Sequence, residues 1–192
     1  MLKDIFKKKS LAAEPAPQPG IEGSEAANLA AELLITPTAL MQLTLAEAKV
    51  VVRYMQPQLV SRGTTFLREG DERDTGFMML LLDGEVRVET LVVSRTDPIV
   101  ITLLGRGSLI GELGLLDGQA RYASCVAATA LRCAILSREA LDQLMHEEPR
   151  IAAKLTLAVS MRIAERLREV TDKLKKYAQL TQAMGQEMGS RG

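Results

Sequence analysis

The chain holds one histidine, no tryptophan and few other aromatics, 3% of its residues in all. A single imidazole, His146, builds neither a histidine-rich metal centre nor a Ser/His/Asp set, so metalloenzymes and triad hydrolases lose their raw material. No metal and no enzymatic activity are expected. Scarce aromatics also argue against a base-stacking platform for single-stranded nucleic acid. The two cysteines, Cys125 and Cys133, stand in apolar surroundings without CxxC spacing, which predicts buried thiols rather than a disulfide or a metal pair. Charge of one sign is lacking too: 24 basic and 24 acidic residues cancel, so no overall field recruits nucleic acid or an anionic membrane. No apolar run approaches the ~20 residues of a membrane span, and the first residues lack the apolar core of a signal peptide. The expected address is the cytoplasm.

What remains is a chain of 192 residues, 47% of them hydrophobic, enough for one well-packed domain with an extension. Residues 1–23 divide into a basic tail, Met1 to Lys9, and a Pro/Ala-rich linker with Pro15, Pro17 and Pro19. In residues 1–9, Leu2, Ile5 and Phe6 share a helical face among lysines. A solvated tail and a membrane- or partner-seeking peptide are the two readings of that pattern. Residues 24–58 read as helices: Ser24 is a candidate N-cap for a helix to about Ile35, and Thr44-Leu45-Ala46-Glu47 fits a capping box opening a second through about Met55.

The texture switches to short β-rich runs over residues 59–136: Thr64–Arg68, Phe77–Leu82, Glu85–Val93, Ile99–Leu104, Tyr122–Ala127 and Leu131–Leu136. Turn residues punctuate them, and Asp83-Gly84 predicts a hairpin between two of the runs. Many short strands at this spacing describe a small antiparallel barrel or jelly roll, so the fold class is α+β. Helical periodicity returns over 137–184, with Ser137 as an N-cap and Pro149 in the first turn of a long helix. Ile163, Leu167, Val170, Leu174, Tyr177, Thr181, Met184 and Met188 alternate in steps of four and three, a heptad seam. Such a seam packs on the roll or on a second copy; extension beyond the globular body favours a homodimer through this helix. Gly185 and Gly189 predict fraying and a flexible tail over 185–192.

The segment from Gly105 to Ser124 carries the chemistry. It leaves a strand, runs through a glycine-rich apolar bend that carries Glu112, and re-enters a strand at Arg121. A short helical turn over Leu113–Leu116 presents backbone amides at its start. Arg121 offers a planar, permanently charged fork to a phosphate, and Glu112 an acceptor for a sugar hydroxyl. These are the parts of a pocket for a ribose-phosphate ring; the plain alternative is an ion pair between Glu112 and Arg121.

Gly111-Glu112-Leu113-Gly114-Leu115, with Arg121 and Ala123 downstream, resembles the phosphate-binding cassette of the cyclic nucleotide-binding domain family. That family includes catabolite-activator-type regulators of bacteria and the regulatory subunits of cyclic-AMP-dependent kinase. Upstream, Gly63, the run Phe66 to Asp71 and Asp83-Gly84-Glu85-Val86 look like the family's strand and turn signatures, and the resemblance extends from about Leu43 to Ala178. It implies a β-roll flanked by N-terminal helices and a long C-terminal dimerisation helix. By the same resemblance Glu112 binds the ribose 2′-OH and Arg121 the exocyclic phosphate oxygens, supplemented by amides of Gly111, Leu113 and Tyr122. Thr171 matches a position whose hydroxyl contacts the purine, with Val170 beside it. Tyr122 departs from the family's small residue at that position, and Ala120 replaces the common proline. The implied ligand is a cyclic nucleotide, cAMP or cGMP, or a cyclic dinucleotide. The implied output is a protein effector reached through helix movement. After Pro149 the long helix uses nearly all remaining residues, so no DNA-reading unit and no direct DNA binding are expected. The competing expectation is a dimeric scaffold that keeps the fold without the ligand.

Overall fold

A computed structural model describes residues 25–37, 39–40, 42–73, 75–90 and 99–189, the side chains of 183–189 excepted. The basic tail, the linker and the Ser24 cap lie outside these residues. So do the side chains of Met184 and Met188.

Two short helices open the described chain, α1 (Glu25–Leu34) and α2 (Leu45–Arg53). The capping box forms as the sequence predicts: Glu47 N donates to Thr44 Oγ1 at 3.3 Å while Thr44 N donates to Glu47 Oε2 at 2.7 Å. Eight strands follow: β1 (Gln56–Val60), β2 (Thr65–Leu67), β3 (Phe77–Asp83), β4 (Val86–Thr90), β5 (Ile99–Leu104), β6 (Leu109–Ile110), β7 (Ser124–Ala127) and β8 (Leu131–Ser137). They make two four-stranded antiparallel sheets, ordered β1-β8-β3-β6 and β2-β7-β4-β5. Helix α3 (Glu112–Asp117) interrupts the strand series, and α4 (Arg138–Glu147) and α5 (Pro149–Gly189) close the chain. The jelly roll and its flanking helices are therefore present.

β3 shows why two cores form. Its run Phe-Met-Met-Leu-Leu-Leu is apolar on both faces, as a strand buried on both sides must be. Met78, Leu80 and Leu82 face the helices, joining Leu34, Leu40, Met55, Leu144 and Leu155. Met79 and Leu81 face the roll interior with Val86, Ile110, Leu131 and both cysteines. Cys125 and Cys133 are free and buried, and burial pushes both thiols up to about 12.

Three expectations need correction. Asp83-Gly84 does not form a hairpin: β3 pairs with β8 and β6, β4 with β5 and β7. Gly84, at φ 97°, instead takes the chain from one sheet to the other. It is pressed against the neighbouring crossing between β7 and β8, where a Cβ at Gly84 would stand 2.5 Å from the Ala130 carbonyl oxygen. Glu85 N donates to Thr129 Oγ1 at 2.9 Å and ties the two crossings together. Strand structure also begins at Gln56, ahead of the predicted Leu59. β1 is polar and contains Pro57, tolerated because β1 is an edge strand that needs no donor on its outer side. Finally, α5 continues through Gly185 to Gly189, since a helix already nucleated crosses an isolated glycine at a cost of only about 1 kcal/mol.

Candidate functional site

The cassette is built by a sharp exit from β6. Ile110 pairs with Met79, and Gly111 then turns the chain with φ 79°, a conformation that favours glycine. Six helical residues follow, ended by Gly118 at φ 67°, whose N–H donates back to the Gly114 carbonyl at 3.0 Å. The return strand is pinned on arrival: Arg121 N donates to the Asp71 carbonyl at 3.1 Å and Gly70 N to the Arg121 carbonyl at 2.8 Å. The upstream Gly70-Asp71 turn thus positions the backbone of the cassette arginine.

Arg121 is buried, only 7% exposed. Its Nη1 donates to the Gly111 carbonyl at 3.0 Å, both terminal nitrogens lie 3.5 Å from the Phe77 carbonyl, and the guanidinium sits 4.6 Å over the Phe77 ring. Burial lowers its pKa from the ordinary arginine value, opposed by the nearby charges of Glu112, Asp117 and Asp71. A buried cation in that condition gains from an anion beside it. Glycine is needed at 114: a Cβ there would stand 2.4 Å from the Thr75 carbonyl oxygen and 2.7 Å from Arg121 Nη1.

Glu112, equally buried, does not form the alternative ion pair with Arg121. Its Oε1 accepts from Arg166 Nη1 of α5, and Arg166 Nη2 donates to the Leu109 carbonyl at 2.8 Å. The carboxylate therefore joins the cassette to the long helix. Sequence reasoning missed Arg166: the heptad seam placed the helix without indicating that a polar side chain between Ile163 and Leu167 turns inward.

Gly111, Glu112, Leu113, Arg121, Tyr122 and Ala123 line one cavity of about 140 Å³ with Arg166 and the apolar Leu67, Val88, Leu104 and Cys125. The Tyr122 side chain leaves it open, being 69% exposed at the mouth. Thr171 is not among the lining residues. It lies further along α5, exposed, with its hydroxyl donating to the Leu167 carbonyl at 2.8 Å. Among the described residues no cluster of His, Cys, Asp or Glu could hold a metal, and no helix is long and apolar enough to cross a membrane.

The site is thus a strand-bounded cassette with an inward arginine and a buried glutamate, flanked by the long C-terminal helix. Residues 57–148 match the family profile of the cyclic nucleotide-binding domain. Over 81% of its length it is 23% identical to a CRP-like cAMP-activated global transcriptional regulator of Mycobacterium tuberculosis, covering 68% of that protein. It is 29% identical to a cyclic AMP receptor protein of Thermus thermophilus over 62% of this chain and 54% of the relative. Among solved structures, a cyclic nucleotide-binding domain from Methylobacillus flagellatus superposes with a TM-score of 0.69 and 28% identity, over 82% of this chain and 86% of that one. These relatives are named as regulators and as a binding domain.

Proposed function

We propose that the chain is a regulatory protein that binds cAMP or cGMP in the cassette cavity and signals through α5 to a protein partner. The observation that carries this reading is the convergence of buried Arg121 and buried Glu112 on one cavity. The guanidinium takes the cyclic phosphate, and the carboxylate takes the ribose hydroxyl at the acceptor capacity left on Oε2. A hydroxyl at Glu112 shares the carboxylate with Arg166 or displaces it, so the ligand acts directly on α5. That contact supplies the differential interaction a switch requires. The names of the M. tuberculosis and T. thermophilus relatives favour cAMP. Thr171, with its hydroxyl turned to its own helix, reaches a bound base only after α5 moves.

The exposed seam on α5 gives the same helix a second role. Leu167, Val170, Leu174 and Tyr177 all stand exposed, a stripe that pairing with a second copy buries. Sedimentation at micromolar concentration is expected to give a dimer mass, and Leu174→Asp a monomer.

The cavity volume supports the rival reading, a ligand-free scaffold, because ~300 Å³ is the usual lower end for small-molecule sites. Thermal melts with cAMP and cGMP separate the two. A binder gains about 2.7 kcal/mol at a hundredfold excess over Kd, and Arg121→Ala is expected to abolish the shift. No shift with either nucleotide leaves the scaffold.

A further inference from the structure

At Gly114 the cassette is held between two arginines. On one side the Arg121 guanidinium lies so close that even a methyl group at Gly114 would meet Nη1 at 2.7 Å. The Thr75 carbonyl closes the same side, and Thr75 Oγ1 donates to the Gly118 carbonyl at 3.1 Å. Such packing leaves α3 little freedom to move independently of Arg121. On the other side the Gly114 carbonyl accepts from Arg138 Nη2 at 2.9 Å. Arg138 is the first residue of α4. Its backbone N–H donates to the Gly76 carbonyl at 2.7 Å, and its side chain covers Gly76, where a Cβ would meet Arg138 Cβ and Nε at 3.4 Å.

We propose that Arg138 is the positioning residue that carries the state of the Arg121 site to α4 and α5, an inference that rests on the cavity being a nucleotide site. Arg138 is absent from the cavity lining, so it acts through Gly114 and not on the ligand. The Gly114 carbonyl lies in the last turn of α3, where a cation is favoured by the helix dipole, and the bond is charge-assisted. An anion that draws Arg121 towards the cavity shifts the Gly114 backbone packed on it. Arg138 follows that carbonyl, and α4 follows its own first residue. This path runs beside the Glu112–Arg166 contact and enters the helical unit at its opposite end.

Hydrogen exchange followed by mass spectrometry, with and without saturating cAMP and in parallel cGMP, tests it on the full chain. In the wild type, nucleotide is expected to change exchange both in residues 111–118 and across 138–163. Arg138→Gln is expected to keep the change in 111–118 and to reduce that across 138–163 by at least about fivefold, the lower end of ordinary coupling factors. Arg138→Lys, which keeps a cation near the carbonyl, is expected to restore part of the helix response while folding as the wild type does. A helix response undiminished in both variants overturns the proposal. So does loss of both responses together in a folded Arg138→Lys, because Arg138 then merely supports the pocket. A wild type that responds in 111–118 alone overturns it as well, with nucleotide binding intact. A wild type with no response anywhere overturns instead the reading beneath it.

Discussion

The two halves of α5 carry one continuous apolar stripe with two different fates. Ala152, Leu155 and Val159 are buried in the core that α5 shares with α2 and α4, and Ile163 is half-buried at the boundary. Leu167, Val170, Leu174 and Tyr177 continue the same face and stand exposed. Nothing in the helix itself marks the change. It falls where the roll ends, beside Arg166, the residue that reaches back to Glu112. An apolar period therefore says that a face will be covered, without saying by what.

Truncating the inner half should cost most. Leu155, 1% exposed, is expected to lose about 2–5 kcal/mol as Leu155→Ala, measured by urea denaturation. A loss near zero would erase the distinction between the halves. Gly114→Ala extends the comparison to the cassette, where fit is equally tight: about 1–3 kcal/mol is expected from the clash with the Thr75 carbonyl, accompanied by a smaller melting shift with nucleotide.

A smaller effect concerns the clamp that holds the inner half down. Lys154 Nζ of α5 lies 2.7 Å from Glu47 Oε2 of α2. The hydrogen bond from Lys154, followed by those from Thr44, lowers the Glu47 pKa from 4.5 to about 2. Because the folded pKa is the lower one, the stabilisation is present above the unfolded value and is lost as pH falls through the window from 4.5 towards 2. Glu47→Gln is expected to flatten the acid limb of the stability profile in that window and to leave the limb above it unchanged in slope. Smallest of all is the outer half: in dilute monomer, Leu174→Ala, at a position 62% exposed, is expected to stay within about 0.5 kcal/mol of wild type. A larger loss in the monomer would mean that the outer stripe packs on its own roll.

Legibility followed the range of the interactions. The capping box at Thr44 and Glu47, the Ser137 cap with its bond from Ala140 N at 3.2 Å, and the short helix after Gly111 appear where the sequence places them. Each depends on residues within a turn of one another. β1 escaped because an edge strand needs little apolar character, and β6 because two residues carry no period. The Asp83-Gly84 turn misled because its dipeptide chemistry suits a hairpin equally well, while the contacts deciding its sheet partners, with Thr129 and Ala130, are more than forty residues away. In the site, Glu112 and Arg121 were legible from their spacing around the glycines. Arg166 and Arg138 were not, since neither belongs to the cassette segment.

Local geometry therefore accounts for what the sequence by itself determined: an α+β chain, its caps and turns, and an acid and an arginine on a glycine-lined bend. Tertiary structure alone decided that Glu112 meets Arg166 and leaves Arg121 facing the cavity and the Gly111 and Phe77 carbonyls. It also decided that Tyr122 stands clear of the mouth and that Thr171 lies beyond the cavity. The physical reason is distance along the chain. Backbone propensity and hydrogen-bonding reach govern neighbours a few residues apart, whereas a bond such as Arg166 to Glu112 exists only after two sheets and two helices have packed and brought distant side chains within reach.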